Sequence, residues 1–231
     1  MKKISTTAVL LLFCFLGAYA EETVTYTRPK TAGIDIELSQ VAVTIMLFDG
    51  ESIAYRYELN EGANLSVTET HKTLRIRQLF PAEGKLFLFI PQKMILESCL
   101  IRLNRAQLHV EGIRVAHFLS MMNSGSVTMR DTLFKNAVIN LAQGNLTVKG
   151  RILSSCAISI TDSAADLLFQ EKPDRIHLDY SKTNSAVFIG GDEQLAIIGQ
   201  YGNPKGKPRI ILSAAGSKAV IQFKLADSDA S

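Results

Sequence analysis

Apolar and polar residues alternate in short bursts through the middle of the chain, and the bursts return about every nineteen residues. Ile101 and Leu103 precede Leu108 and Val110, and Leu119 and Met121 precede Val127 and Met129. Ile139 and Leu141 then precede Leu146 and Val148, Ile158 and Ile160 precede Leu167 and Phe169, and Ile176 and Leu178 precede Val187 and Ile189. The bursts begin at 101, 119, 139, 158 and 176, in steps of 18, 20, 19 and 18. Small or polar turns separate the two halves, such as Asn123-Ser124-Gly125, Ala142-Gln143-Gly144 and Thr183-Asn184-Ser185. Apolar side chains at i and i+2 share one face of a strand. Two such strands cannot bury that face alone, but stacked copies share a continuous core.

The pattern therefore predicts an all-β, single-domain right-handed β-solenoid (a β-helix). Its rungs of about 19 residues would have parallel, in-register strands rising about 4.8 Å per rung. Ile101, Leu119, Ile139, Ile158 and Ile176 are expected to pile up as the structural core. A β-sandwich has turn signals at similar intervals, but it does not require the same offsets to return.

The flanks fit a less regular version of the coil. Ile34 to Leu38 and Val41 to Ile45 repeat the two-strand unit, Ile53 to Leu59 alternates, and Leu86 to Ile90 ends at Pro91, which cannot donate to a ladder. After Gly191 come a strand signal at Leu195 to Ile198, a Gly/Pro loop at 201–208, and a last unit at Arg209 to Leu212 and Val220 to Phe223. Residues 1–20 read as a signal peptide: Lys2 and Lys3, an apolar run from Ala8 to Leu16, and Ala18-Tyr19-Ala20 before the cut after Ala20. Cys14 lies inside the apolar run behind Phe13, so lipidation there is not expected. The expected map is signal peptide 1–20, β-solenoid domain 21–225 and disordered tail 226–231, with export to the periplasm or cell surface.

Charge changes the picture little. Loss of the leader removes two lysines and no acid, which lowers the net charge from +3 to +1 and argues against nucleic acid as a partner. No segment after the leader is long and apolar enough for a transmembrane helix.

The order and spacing of these segments resemble the bacterial putative adhesin family of the DUF4097 type. The match runs from Gly33-Ile34-Asp35-Ile36-Glu37-Leu38 through Thr73-Leu74-Arg75-Ile76-Arg77 and Leu86-Phe87-Leu88-Phe89-Ile90-Pro91 to repeated rungs. The family's Ser-Gly-Asp turns survive in degraded form as Ser124-Gly125-Ser126, Gln143-Gly144-Asn145 and Ala215-Gly216-Ser217. The resemblance covers about residues 30–223 and implies a β-solenoid outside the cytoplasm. It supplies no ligand and no active site.

Candidate chemistry is sparse. Cys99 and Cys156 each lie two residues before a burst start, in one column three rungs apart, or about 14 Å. That exceeds disulfide reach, so two buried free thiols are expected. His71, His109, His117 and His177 show no ligand spacing, with His109 and His177 pointing outward. Asp162, Asp166, Asp174 and Asp179 are the acids a polysaccharide-active enzyme would use, and Asp162 and Asp179 fall near equivalent places on adjacent rungs. Lys205, Lys207 and Arg209 form a small basic loop. The outward positions form two expected columns: Arg102, Ser120, Asn140, Ser159 and His177 in one, and His109, Thr128, Thr147, Leu168 and Phe188 in the other. Thr128, Thr147, Leu168 and Phe188 are the candidate binding residues, the last two either exposed or covered by 192–208.

The resulting expectation is an exported, non-catalytic binding or scaffold module of the bacterial cell envelope, adhesin-like, with no cofactor and no metal. Its partner would be an envelope protein or a glycan surface. The alternatives are a polysaccharide-active enzyme on a β-helix and an envelope-stress accessory protein that binds a membrane partner.

Overall fold

A computed structural model of the chain describes residues 24–60 and 64–223. The expected signal peptide (1–20) and tail (226–231) lie outside the described residues. The described chain is all-β, with one 3-10 turn at Pro173–Arg175. Its strands, in chain order, are β1 (Thr25–Tyr26), β2 (Gly33–Ser39), β3 (Val41–Phe48), β4 (Ala54–Leu59), β5 (Leu65–Thr70), β6 (Thr73–Gln78) and β7 (Gly84–Pro91). There follow β8 (Leu96–Asn104), β9 (Ala106–Glu111), β10 (Arg114–Met122), β11 (Gly125–Leu141), β12 (Gly144–Thr161) and β13 (Ser163–Phe169). The last are β14 (His177–Thr183), β15 (Ala186–Ile189), β16 (Asp192–Glu193), β17 (Ile198–Gly202), β18 (Arg209–Ala215) and β19 (Lys218–Phe223).

Consecutive strands form tiers, each with one strand in a first ladder and one in a second. The first ladder runs β6, β2, β8, β10, the end of β11, the end of β12, β18, β14, every neighbour parallel. The second runs β7, β3, β9, the start of β11, the start of β12, β13, β19, β15, also parallel. β11 and β12 bend from one ladder into the other, with register shifts between Arg130 and Thr132 and between Phe134 and Asn136, so the sheet curls on itself. Antiparallel strands finish the ends: β5 on β6 and β4 on β7 at one, β17 on β14 and β16 on β15 at the other.

At both ends, place in the stack departs from place in the chain. The tier 33–48 is inserted between 73–91 and 96–111. The tier 209–223 is inserted between 155–169 and 177–189, so 176–189 does not lie directly on the preceding repeat as its spacing suggested. Burial explains the second exchange. Ile210, Leu212, Ala214, Ala219 and Ile221 are all buried and suit an interior tier. The inward row of 177–189 includes the half-buried Lys182 and suits an end.

The corner from first to second ladder takes one residue of positive φ in most tiers: Gln40, Arg105, Gly125, Gly144, Asp162, Asn184 and Gly216. Asn, Asp and Gly enter that conformation most readily, which is why the repeat's turns carry them. Gly125 and Gly144 are the strictest, because a Cβ there would meet the carbonyl oxygens of Ala106 and Gly125 at 1.8 and 1.7 Å.

Inward residues of both ladders make one core. In the second ladder the expected pairs all face it, from Leu108 and Val110 to Val187 and Ile189. In the first ladder one tier is out of phase. The column through Ile101 and Ile139 contains Ser120, not Leu119, and continues through Ile158, Leu212 and Tyr180. Phe118, Ser120 and Met122 point inward, and Leu119 and Met121 point out. A one-residue shift exchanges the faces of a whole strand, and here it buries Phe118 against Phe134 with ring centroids 4.6 Å apart. That aromatic contact offsets the burial of one serine. Ile176 is buried just before β14, outside the column, whose member from that tier is Tyr180. Cys99 and Cys156 are buried free thiols in one column, separated by Phe118 and Ala137.

Candidate binding surface

Each ladder presents an outer face. On the second, the expected column is only partly continuous. Thr44, His109, Thr128 and Thr147 align, but the next members are Asp166, Val220 and Phe188. Leu168 belongs to the neighbouring column, between Lys149 and Gln222. The repeat displaced it because β13 begins at Ser163, directly after the left-handed Asp162, and the register is counted from that corner. Thr128, Thr147, Leu168 and Phe188 are all half-buried. Phe188 lies under the Lys218 ammonium, 5.4 Å from its ring centre. Residues 192–208 do not lie across this face: β16 pairs at the edge beside Phe188, and β17 belongs to the first ladder.

On the first ladder the outward register assembles an apolar column that periodicity alone did not indicate. Leu100, Leu119, Val138, Ala157 and Ile211 are stacked in successive tiers. Val138 is 39% exposed and Ile211 46%, and Met121, in the next column, is 44% exposed. The signal was present in 114–122, where Phe118, Leu119, Met121 and Met122 are apolar on both faces. Beside the column runs a groove of about 570 Å³, floored by Arg102, Met121, Asn140 and Ser159. Asn104 and Asn123 rim it, joined by a 3.3 Å amide hydrogen bond.

An ionic cluster closes each end of the column. At one end Asp35 accepts a hydrogen bond from Arg77 at 2.6 Å and one from Arg102 at 3.2 Å, with Arg75 at 3.4 Å. Partial burial pushes the Asp35 carboxyl up, but the Arg77 hydrogen bond and the Arg77, Arg102 and Arg75 charges outweigh it and hold the group below its ordinary value. At the other end Asp179 accepts two hydrogen bonds from Arg209, at 3.0 and 2.8 Å, and one from Gln200 at 3.0 Å, with His177 at 2.9 Å. Desolvation again works upward there, and the His177 and Arg209 contacts turn the net shift downward.

His177 points outward, as expected, but is buried beneath this cluster. Ser120, expected outward, is inward and 1% exposed. The four candidate acids are dispersed: Asp162 turns a corner, Asp166 follows Thr147 on the second ladder, Asp174 sits in the 3-10 turn and Asp179 is held by Arg209. The expected nearness of Asp162 and Asp179 fails, because Asp179 aligns with Ile211 and Ala157. Among the described residues, no helix is long and apolar enough to cross a membrane.

No family model matches the chain. It is 24% identical over 220 residues to an uncharacterized protein of Treponema pallidum, covering 93% of this chain and 90% of that one. Putative adhesins of Parabacteroides distasonis and Parabacteroides merdae superpose with TM-scores of 0.37 and 0.36, each at 10% identity, over 87% of this chain and 95% and 94% of theirs. A putative cell adhesion protein of Clostridium sporogenes shares the fold: its crystal structure superposes with a TM-score of 0.50 at 13% identity, over 87% of this chain and 98% of that one.

Proposed function

We propose that the protein is an exported, non-catalytic, adhesin-like binding module of the bacterial cell envelope, of the DUF4097 type. On this reading it is a β-solenoid wound in the right-handed sense that parallel crossovers favour. The partner is an envelope protein, and it docks on the outer face of the first ladder. The outward apolar column from Leu100 to Ile211, half-buried at Leu100, Leu119 and Ala157 and exposed at Val138 and Ile211, carries this reading, because large apolar patches on an outer face mark contact surfaces. Among the described residues, Arg75, Arg77 and Arg102 make their ion pairs with Asp35 and Glu37, three bases against two acids, which suits that end of the stripe to a partner with an apolar ridge ending in an acid. The leader at 1–20 and the adhesin names of the fold's relatives are consistent with that setting.

Site-specific photo-crosslinking in intact cells tests the assignment. A crosslinker at Val138 or Ile211 is expected to trap one envelope protein, and Met121→Glu to abolish the adduct without changing the thermal midpoint. The second ladder supports a competing reading. Thr128 and Thr147 offer aligned hydroxyls of the kind a glycan would use, with Leu168 in the neighbouring column of the next tier and Phe188 three tiers beyond Thr147. Adducts or glycan binding lost on changing Thr128 and Thr147, with Val138 and Ile211 silent, would transfer the site to that face.

A further inference from the structure

Where the first ladder turns into the second, a groove of about 700 Å³ crosses five consecutive tiers of the second ladder, β7, β3, β9, β11 and β12. Its far wall is one outward column. Lys85, Ala42, Gln107, Ser126 and Asn145 follow one another there over about 19 Å, at about 4.8 Å per tier. Its near wall is the corner itself, with Gln40, Arg105 and Ser124. Packing keeps the floor bare. A Cβ at Gly125 would strike the Ala106 carbonyl, one at Gly84 would come within 2.5 Å of the Glu58 carbonyl oxygen, and Ala106 is buried in the core. Among the described residues, the side chains of Gln40, Gln107, Ser124, Ser126 and Asn145 make no hydrogen bond within the protein, and Lys85 and Arg105 make no ion pair. The first-ladder groove differs, because Asn104 and Asn123 there bind each other.

We infer that this groove holds an uncharged glycan chain lying along the stack. Amide and hydroxyl side chains each donate and accept, as sugar hydroxyls do. They recur tier by tier, and a tier is about as tall as a pyranose ring is long, so a chain of pyranoses stays in step with the walls. A peptide fits less well on two counts. Every strand beneath the groove is already paired on both sides, so none offers an edge to extend, and the walls carry no large apolar side chain to make an anchor pocket. A nucleic acid would need a basic track, whereas Lys85 and Arg105 share the groove with Glu83. The same near-balance of charge selects an uncharged glycan over an acidic one. The site lies away from the docking column of the first ladder, and one outward column nearer the corner than Thr128 and Thr147.

NMR titration of the exported protein with tetramers of β-1,4-linked glucose, mannose and N-acetylglucosamine tests this. At least one tetramer is expected to bind, and its monosaccharide on the order of tenfold more weakly, since a single ring reaches the hydrogen-bonding groups of one tier. Gln107→Ala and Asn145→Ala should each weaken the tetramer about fivefold, the loss of one hydrogen bond, and their double variant more. Both side chains are exposed, so thermal midpoints should not change. Thr128→Val/Thr147→Val should leave tetramer binding in place. Absence of binding for all three tetramers at millimolar concentration, binding indifferent to the Gln107→Ala/Asn145→Ala double variant, or loss on Thr128→Val/Thr147→Val alone overturns the inference. Crosslinking at Val138 and Ile211 reports on the first ladder only, so neither result decides the other.

Discussion

Asp35 and Asp179 occupy one outward column of the first ladder, with Leu100, Leu119, Val138, Ala157 and Ile211 stacked between them. Each fastens a tier that is out of chain order. Asp35, on the inserted β2, holds Arg77 of β6 and Arg102 of β8, and Asp179 of β14 holds Arg209 of the inserted β18. The two clusters therefore bracket the apolar stripe and pin the two exchanges in the stack.

Asp35→Asn should lower stability by about 1 kcal/mol, because it removes the charge that two partly buried guanidiniums share while solvent screens their exposed ends. The amide keeps the shape of the carboxylate, so the loss is electrostatic and high salt should shrink it. Urea unfolding of the variant at low and high ionic strength measures both effects.

The same carboxylates set an acid limit. Both folded-state values lie below the ordinary 3.8, so the folded form binds protons less readily than the unfolded chain. Their contribution is fully present above 3.8 and drains away as pH falls below it. The double variant Asp35→Asn/Asp179→Asn should thus be less stable than wild type near neutrality and converge on it in acid. Thermal midpoints across that range decide the point, and a constant gap would mean that neither carboxyl is held down.

The phase of β10 is testable by paired substitutions. Phe118→Ala should cost about 3–5 kcal/mol, as for a buried aromatic, and Leu119→Ala under about 1 kcal/mol. Ser120→Ala should raise stability by about 1 kcal/mol, since the Ser120 hydroxyl is buried without a partner between Ile101 and Ile139. The opposite ranking of Phe118 and Leu119 would restore the register that the repeat suggests.

These residues also show where sequence reading succeeds and where it stops. The second ladder was legible where its strands are apolar on one face only, as in Val127-Thr128-Met129 and Leu146-Thr147-Val148. The Cys99–Cys156 column was legible because β8 and β12 keep the phase of the repeat, with Cys99 and Cys156 each two residues before an inward isoleucine. In 118–122 four apolar residues surround Ser120 and either phase buries two of them, so periodicity cannot choose; the Phe118–Phe134 contact does, and it is non-local. The exchanged tiers were hidden for a related reason. Parallel pairing asks mainly for an apolar inward row, and 209–223 and 177–189 both offer one but for Lys182, a single residue that a repeat of apolar pairs passes over. The stripe on the first ladder then follows from the β10 phase and the insertion of β18, neither of which a repeat length records.

Burial pushes the thiols of Cys99 and Cys156 up to about 12, so neither supplies thiolate near neutral pH. Native protein should not react with a thiol reagent at pH about 8, and both cysteines should react once denaturant opens the core. Mass spectrometry after alkylation counts them, and a Cys99–Cys156 disulfide would contradict the column.

Glu171 has the opposite sign to the two aspartates. Its Oε1 accepts the Ile152 backbone N–H at 3.2 Å, its Oε2 is buried without a partner, and Arg151 is no closer than 3.9 Å. Burial therefore raises its carboxyl above the ordinary 4.5 despite the backbone hydrogen bonds and the Arg151 charge. A raised acid favours folding below its unfolded value and loses that contribution as pH rises through the folded one. Glu171→Gln keeps the acceptor for Ile152 and removes the charge, so it should gain on wild type as pH rises above the ordinary 4.5. Unfolding free energies of the two proteins over that range should diverge upward. Parallel curves would mean that Glu171 titrates alike in the folded and unfolded chain, and that the carboxylate reaches water at Oε2.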